Sequence, residues 1–252
     1  MPASALALAA DAALRVASLN LCTDELLLLL ADPRQIVSVS HLSHSRHETA
    51  LWRAARAHPA NDGKLESVVA LRPKLILTMG ASGGARQALA RRFGARLVEL
   101  PFPSAPADVM TQASQVAAML GRPAAASKYR RQLASLETSR SRLEQGAFVG
   151  NGGLSLGPEG LGASWLALAG FRQPALPNSR LTLERLATNA PKWLIRSDYR
   201  SGQASRGAAW LSHPIVSRLA PRTIDTDGRA WTCGGLSMIS EVQRLRAKRT
   251  AR

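Results

Sequence analysis

The chain has 252 residues, 46% of them hydrophobic and only 4% aromatic, and 33 Lys and Arg against 17 Asp and Glu give a formal charge of +16. That apolar content is enough for a packed core, and the longest apolar run in its body, residues 26–31, is too short to cross a bilayer as a helix. The charge is spread, with 18 basic against 11 acidic residues before position 146 and 15 against 6 after it, and the scarcity of aromatics leaves no stacking surface of the kind nucleic-acid modules use.

Residues 1–14 open on an Ala/Leu run with a small-x-small pattern around Ala7 and Ala9 but no basic n-region, which reads as the remnant of an export signal or a disordered start. Residues 15–19 form a predicted strand. Thr23-Asp24-Glu25 then supplies an N-cap with acidic first-turn residues, and a helix runs over 26–31. A second strand covers 35–39. A short helix over 66–71 is ended by Pro73 and leads to a strand over 75–78; a helix at 85–93 and a strand at 96–100 follow. Two helices come next, 107–120 and 124–143, split by Gly121-Arg122-Pro123. The second lacks Gly and Pro and is about 30 Å long. After Gly146 the alternation restarts: helices at 163–169 and 183–189, a strand at 193–196, a helix at 208–211, a strand at 223–225 and a last helix at 238–248. The glycine-rich segment 145–153 reads as a truncated opening strand.

Alternating strands and helices predict an α/β fold with parallel sheets, whose ligands bind at the carboxyl ends of the strands. Leu65-Glu66 and the following Pro73-Lys74 with its strand recur as Leu183-Glu184, Pro191-Lys192 and a strand. This internal repeat predicts two similar lobes: 15–122, a linker helix over 123–144, and 145–250.

In this order, residues 15–27, 65–77, 161–171, 183–195, His213-Pro214-Ile215-Val216 and Trp231-Thr232-Cys233-Gly234-Gly235 resemble the periplasmic binding proteins of the iron–siderophore and cobalamin ABC transporter class. The resemblance implies two Rossmann-like lobes bridged by one long helix and an exported, periplasmic monomer. It also implies a metal chelate held between the lobes, a ferric siderophore or a corrinoid, with no cofactor and no nucleic-acid partner. Partners would be that chelate and a permease dimer with its ATPase subunits, the membrane being met only through the permease. Glu66 and Glu184 match the rim carboxylates that dock on the permease, a role suited to exposed charges that set register; both also suit a first helical turn.

The ligand loops fall at Asn20, Leu21, Cys22 and Thr23, at His41 and Ser43, and at Gly80 and Ala81 in the first lobe. In the second they fall at Ser197, Asp198, Tyr199, Arg200, Trp231, Thr232 and Cys233. Tyr199 and Trp231 are candidates to stack on a planar ligand, with Trp231 equally suited to packing at the hinge, and arginines to pair with its anionic groups. The resemblance puts Cys22 and Cys233 on opposite lobes; two separate thiols are the simpler expectation, with a disulfide open to a closed form. Two departures stand out. Leu236 follows Gly234-Gly235 where the family has Pro, and the second lobe opens on the glycine-rich segment.

Two rival chemistries remain. His41, His44 and His47, spaced by three, invite a zinc-type metal-ion receptor, although they sit in a Ser-rich polar loop with Arg46 among them. A cytoplasmic α/β enzyme, a hydrolase or a nucleotide-dependent one, finds thin support. Gly80-Ala81-Ser82-Gly83-Gly84 lacks the Lys-Ser/Thr of a P-loop, and no Gly-x-Ser-x-Gly elbow occurs.

Overall fold

The computed structural model describes residues 14–80, 83–139, 142–200, 205–219 and 222–251; Ala81 and all but Leu14 of the segment 1–14, read as an export-signal remnant or a disordered start, lie outside them. Two parallel sheets organise the chain. The first comprises β1 (Val16–Ser18), β2 (Ile36–Ser40), β3 (Ala60–Asn61), β4 (Leu75–Met79) and β5 (Arg96–Leu100) in the order β3-β2-β1-β4-β5. The second comprises β6 (Glu144–Val149), β7 (Phe171–Arg172), β8 (Trp193–Ser197) and β9 (Thr223–Thr226) in the order β7-β6-β8-β9. Every pairing within these sheets is parallel.

The strands are joined in the first lobe by α1 (Leu21–Leu30), α2 (Trp52–Ala55) and α3 (Gly84–Arg92), and the lobes by α4 (Pro106–Met119) and α5 (Pro123–Thr138). The second lobe carries α6 (Leu161–Leu168), α7 (Leu183–Thr188), α8 (Arg206–Leu211), α9 (Pro214–Ser217), α10 (Gly228–Cys233) and α11 (Ser237–Thr250).

Both faces of each sheet are covered, so alternate strand residues enter different cores. Val16, Leu75 and Leu77 face a cluster with α1, α4, α5, α6 and α11, while Ala17 and Ile76 face a smaller one with Val68, Ala90 and Leu97. A third cluster, around Ala147, Leu186, Leu194 and Val216, fills the far side of the second sheet. The first cluster includes side chains from both sheets, among them Leu27, Leu77, Phe148 and Ile195. The lobes therefore share an apolar interior, which opposes large relative motion.

Three sequence expectations are corrected. Asn20, not Thr23, caps α1: its side-chain oxygen accepts from the Thr23 N–H at 3.0 Å, and Asp24 turns inward to a different task. The second lobe's opening strand is not truncated. β6 has six residues and lies inside its sheet, and its glycine reflects crowding: a Cβ on Gly146 would lie 2.8 Å from both Ile195 and Phe171. The linker helix ends at Thr138 rather than 143, about 24 Å long, and α4 packs along it as a helical hairpin turned at Gly121 (φ 70°). Short elements escaped sequence reading altogether: β3, β7, α2 and α10 are each six residues or fewer and lack a full period of hydrophobic pattern.

Candidate functional site

In each sheet the strand order reverses beside the first strand of the lobe, between β1 and β4 and between β6 and β8. Such switch points open a crevice at the carboxyl ends of the strands. Here the loops from the two crevices face each other. The loop after β1 meets the segment after β9, where Cys22 and Cys233 form a disulfide with Cα atoms 5.3 Å apart across 211 residues of sequence. The loop after β2 meets the loop after β8, where the Tyr199 hydroxyl donates to Glu48 Oε2 at 2.6 Å and the Arg200 guanidinium bonds Oε1. Arg229 Nη1 also donates to the Arg46 carbonyl at 3.1 Å.

The expectation of two separate thiols is thus replaced by an inter-lobe bridge. Beside it lies a tie that sequence reading missed. Glu25, one turn along α1 from Cys22, is buried and accepts from the Ser237 N–H at 2.6 Å. Leu236, the residue at the N-cap of α11, provides no side-chain cap, so a carboxylate from the first lobe caps a helix of the second. Burial pushes the Glu25 carboxyl up, and the hydrogen bonds from the start of α11 oppose that rise. A Cβ at position 235 would stand 2.8 Å from the Glu25 carboxylate, so Gly235 permits this approach.

Asp24 organises the first wall. Fully buried, it accepts from the Ser40 N–H at 3.1 Å, from the Ser40 hydroxyl at 2.5 Å and from the Ser43 hydroxyl at 2.6 Å, pinning the loop after β2 to α1. Desolvation raises its carboxyl to about 6 against the lowering effect of these bonds. Ser43 and Thr23 are accordingly committed inside the lobe, Thr23 through hydrogen bonds with Ser18 (2.7 Å) and Asn20, and Leu21 is buried. Asn20 spans the crevice, its amide 3.2 Å from Thr78 Oγ1. Gly80 adopts φ 86°, and the exposed Phe102 ring lies over it so closely that a Cβ would meet the ring at 3.1 Å.

The second wall is built by close backbone approach. Gly228 opens α10 against the loop after β8, where a Cβ would stand 2.3 Å from Ser197 Oγ and from Tyr199 Cβ; its N–H donates to Asp198 Oδ1 at 2.8 Å. Ser197 is buried and its Oγ accepts from the Tyr199 N–H at 3.3 Å, so Tyr199 is held where it leaves the strand. Burial raises the Tyr199 phenol and the Glu48 carboxylate raises it further; burial also pushes Glu48 up, but bonds from Tyr199 and Arg200 outweigh this and hold it low. Half-buried Trp231 donates from Nε1 to Thr226 Oγ1 at 2.7 Å and packs a tilted ring on Phe148, centroids 4.8 Å apart. Thr232 is exposed beside it.

The three-histidine metal receptor is not assembled. His41 Nδ1 lies 3.2 Å from the Asn61 carbonyl, His44 Nε2 lies 3.1 Å from the His58 carbonyl, and His47 accepts from Arg46. Among the described residues no three His, Cys, Asp or Glu side chains are placed to hold a metal ion. No helix among them is long and apolar enough to cross a membrane.

Glu66 and Glu184 are both exposed and sit at equivalent places. Glu66 opens the 3-10 helix Glu66–Leu71 that leads into β4, and Glu184 lies in α7, which leads into β8. Near the first, Gly63 lies against the Leu19 carbonyl at the carboxyl end of β1; near the second, the Leu181 N–H donates to the Gly153 carbonyl beyond β6, at 2.8 Å. Both carboxylates therefore occupy the rim that carries the crevices.

A family model described as periplasmic binding protein matches residues 16–220. No curated protein matches the chain. Among solved structures, the periplasmic heme-binding protein HutB of Vibrio cholerae is 19% identical with a TM-score of 0.69, covering 93% of this chain and 98% of that one. The vitamin B12-binding protein BtuF of Vibrio cholerae is 15% identical, TM-score 0.64, covering 94% and 96%. A nickel–histidine complex of CeuE from Helicobacter pylori is 13% identical, TM-score 0.66, covering 93% and 82%. At such identities the likeness concerns the fold, two lobes of parallel sheet flanked by helices. The family-model match spans most of the sequence, and the chain belongs to the periplasmic binding protein family, extracytoplasmic and non-enzymatic ligand-binding components of ABC importers.

Proposed function

We propose that this protein binds a metal-bearing chelate between its lobes and delivers it to a permease dimer driven by separate ATPase subunits. The observation that carries the reading is the meeting of Tyr199 and Arg200, after β8, with Glu48, after β2: aromatic and cationic side chains from one crevice reach the opposite crevice. A phenol, a guanidinium and the ring of Trp231 form a set suited to a flat chelate with anionic substituents. Ferric siderophores and corrinoids are the ligands expected from sequence. Heme joins them on the chemistry of the walls, and HutB and BtuF, of the same fold, bind heme and vitamin B12. Glu66 and Glu184, exposed on the rim, are the proposed docking points for cationic clusters of the permease. The inter-lobe disulfide suits an oxidising, extracytoplasmic compartment.

The test is a titration of the oxidised protein with hemin, cyanocobalamin and a ferric siderophore, read by quenching of its five tryptophans. One of the three should saturate at one molecule per chain without being altered. Failure of all three to bind would remove the reading.

A further inference from the structure

The side chain of Glu48 is 11% exposed, yet both of its oxygens accept from the far lobe: Oε2 from the Tyr199 hydroxyl at 2.6 Å, Oε1 from Arg200. A carboxylate held at once by a phenol and a guanidinium is in the arrangement by which proteins grip the carboxylate of a ligand. The grip is prepared on its own side of the cleft. Ser197 and Gly228 position Tyr199, and Arg200 takes a left-handed backbone (φ 54°) that is costly for a non-glycine residue and typical of ligand-clamping loops. Arg200 also lies over the Tyr199 ring, its guanidinium carbon 5.3 Å from the centroid, so the two donors form one unit.

We infer that Glu48 is a built-in competitor: its carboxylate fills a carboxylate-binding subsite made by Tyr199 and Arg200, and a ligand bearing a free carboxylate enters by displacing it. The inference rests on the reading of the cleft as a chelate site and narrows the ligand to one with carboxylate substituents. Exchange of one carboxylate for another leaves the charge on Arg200 balanced, so the desolvated guanidinium is never left bare. Without ligand, Glu48 latches the loop after β2 to the loop after β8. Chelates whose side arms are amides or esters gain nothing from the subsite.

Glu48→Gln keeps the shape of the side chain and removes the charge that competes. Two measurements test it. The first needs no ligand: in a Tyr129→Phe background Tyr199 is the sole tyrosine, and its ionisation can be followed by phenolate absorbance. The charged groups acting on it are Glu48 and Arg200, with His47 acting on Glu48. Loss of the Glu48 charge should move the ionisation to lower pH; an unmoved titration overturns the latch. The second compares hemin with hemin dimethyl ester. Glu48→Gln should bind hemin about tenfold more tightly than wild type and the ester no better, and Arg200→Ala added to it should erase the gain. Equal gains for both compounds, or none for hemin, overturn the competition. If wild type binds neither hemin, cobalamin nor a ferric siderophore, the chelate reading itself falls. The phenolate titration tells that outcome apart from failure of the latch.

Discussion

Removing the Cys22–Cys233 bridge by serine substitution at both positions perturbs the structure at one point and bears on its two-lobed organisation. The cysteines are 211 residues apart, so the bridge closes nearly the whole chain into a loop. For a loop of that length the chain-entropy model gives about 5 kcal/mol of stabilisation, a ceiling because real denatured chains are compact. The shared apolar interior and the Glu25 cap on α11 remain in the variant, so folding should survive. The expected loss is about 3–5 kcal/mol, measured by urea unfolding of oxidised wild type against the double serine variant. The slope of free energy against urea should also steepen, since an uncrosslinked denatured chain exposes more surface. Wild type treated with a dithiol should match the variant. A change below about 1 kcal/mol with an unaltered slope would refute the argument that this bridge ties the two halves.

Other outcomes follow from the same geometry. Asp24 has a folded-state pKa raised to about 6 from 3.8, so the folded form binds a proton more strongly than the unfolded chain; stability should fall as pH rises from about 4 to about 6, by about 3 kcal/mol. Asp24→Asn should flatten that slope in thermal unfolding, and a slope that persists would assign it to another group. Charge reversal at Glu66 and Glu184 together should abolish uptake in cells while leaving chelate affinity intact; lost affinity would contradict docking. Trp231→Ala should weaken chelate binding by about 1–3 kcal/mol if the ring stacks on ligand, whereas unchanged affinity with lower stability would assign the ring to packing on Phe148.

The layout of the lobes was legible because it rests on local pattern. The helix–Pro–strand unit at Glu66 to Met79 and its counterpart at Leu183 to Ser197 each bring a strand beside the first strand of the lobe, where the repeat in the sequence suggested equivalence. What sequence reading missed depends on partners far apart in the chain. Thr23-Asp24-Glu25 has the composition of an N-terminal helical turn, but burial sends Asp24 to Ser40 and Ser43, and Glu25 to Ser237, 212 residues away. Glu48 sits in a polar Ser- and His-rich stretch with nothing to single it out, because its partners lie 151 and 152 residues further on. The glycines of 145–153 misled for a related reason. Gly146 signals a crowded strand, and crowding is set by Phe171 and Ile195, which local sequence does not reveal.

The central claim is that a ligand is gripped from both sides. A crystal structure of the oxidised protein with hemin or another chelate that saturates it tests this most directly. The account predicts one chelate touching residues that follow β2 and β8 together, with a ligand carboxylate on Tyr199 and Arg200 and Glu48 turned away. A chelate bound to the surface of one lobe alone, with the Glu48–Arg200 pair intact, would contradict it.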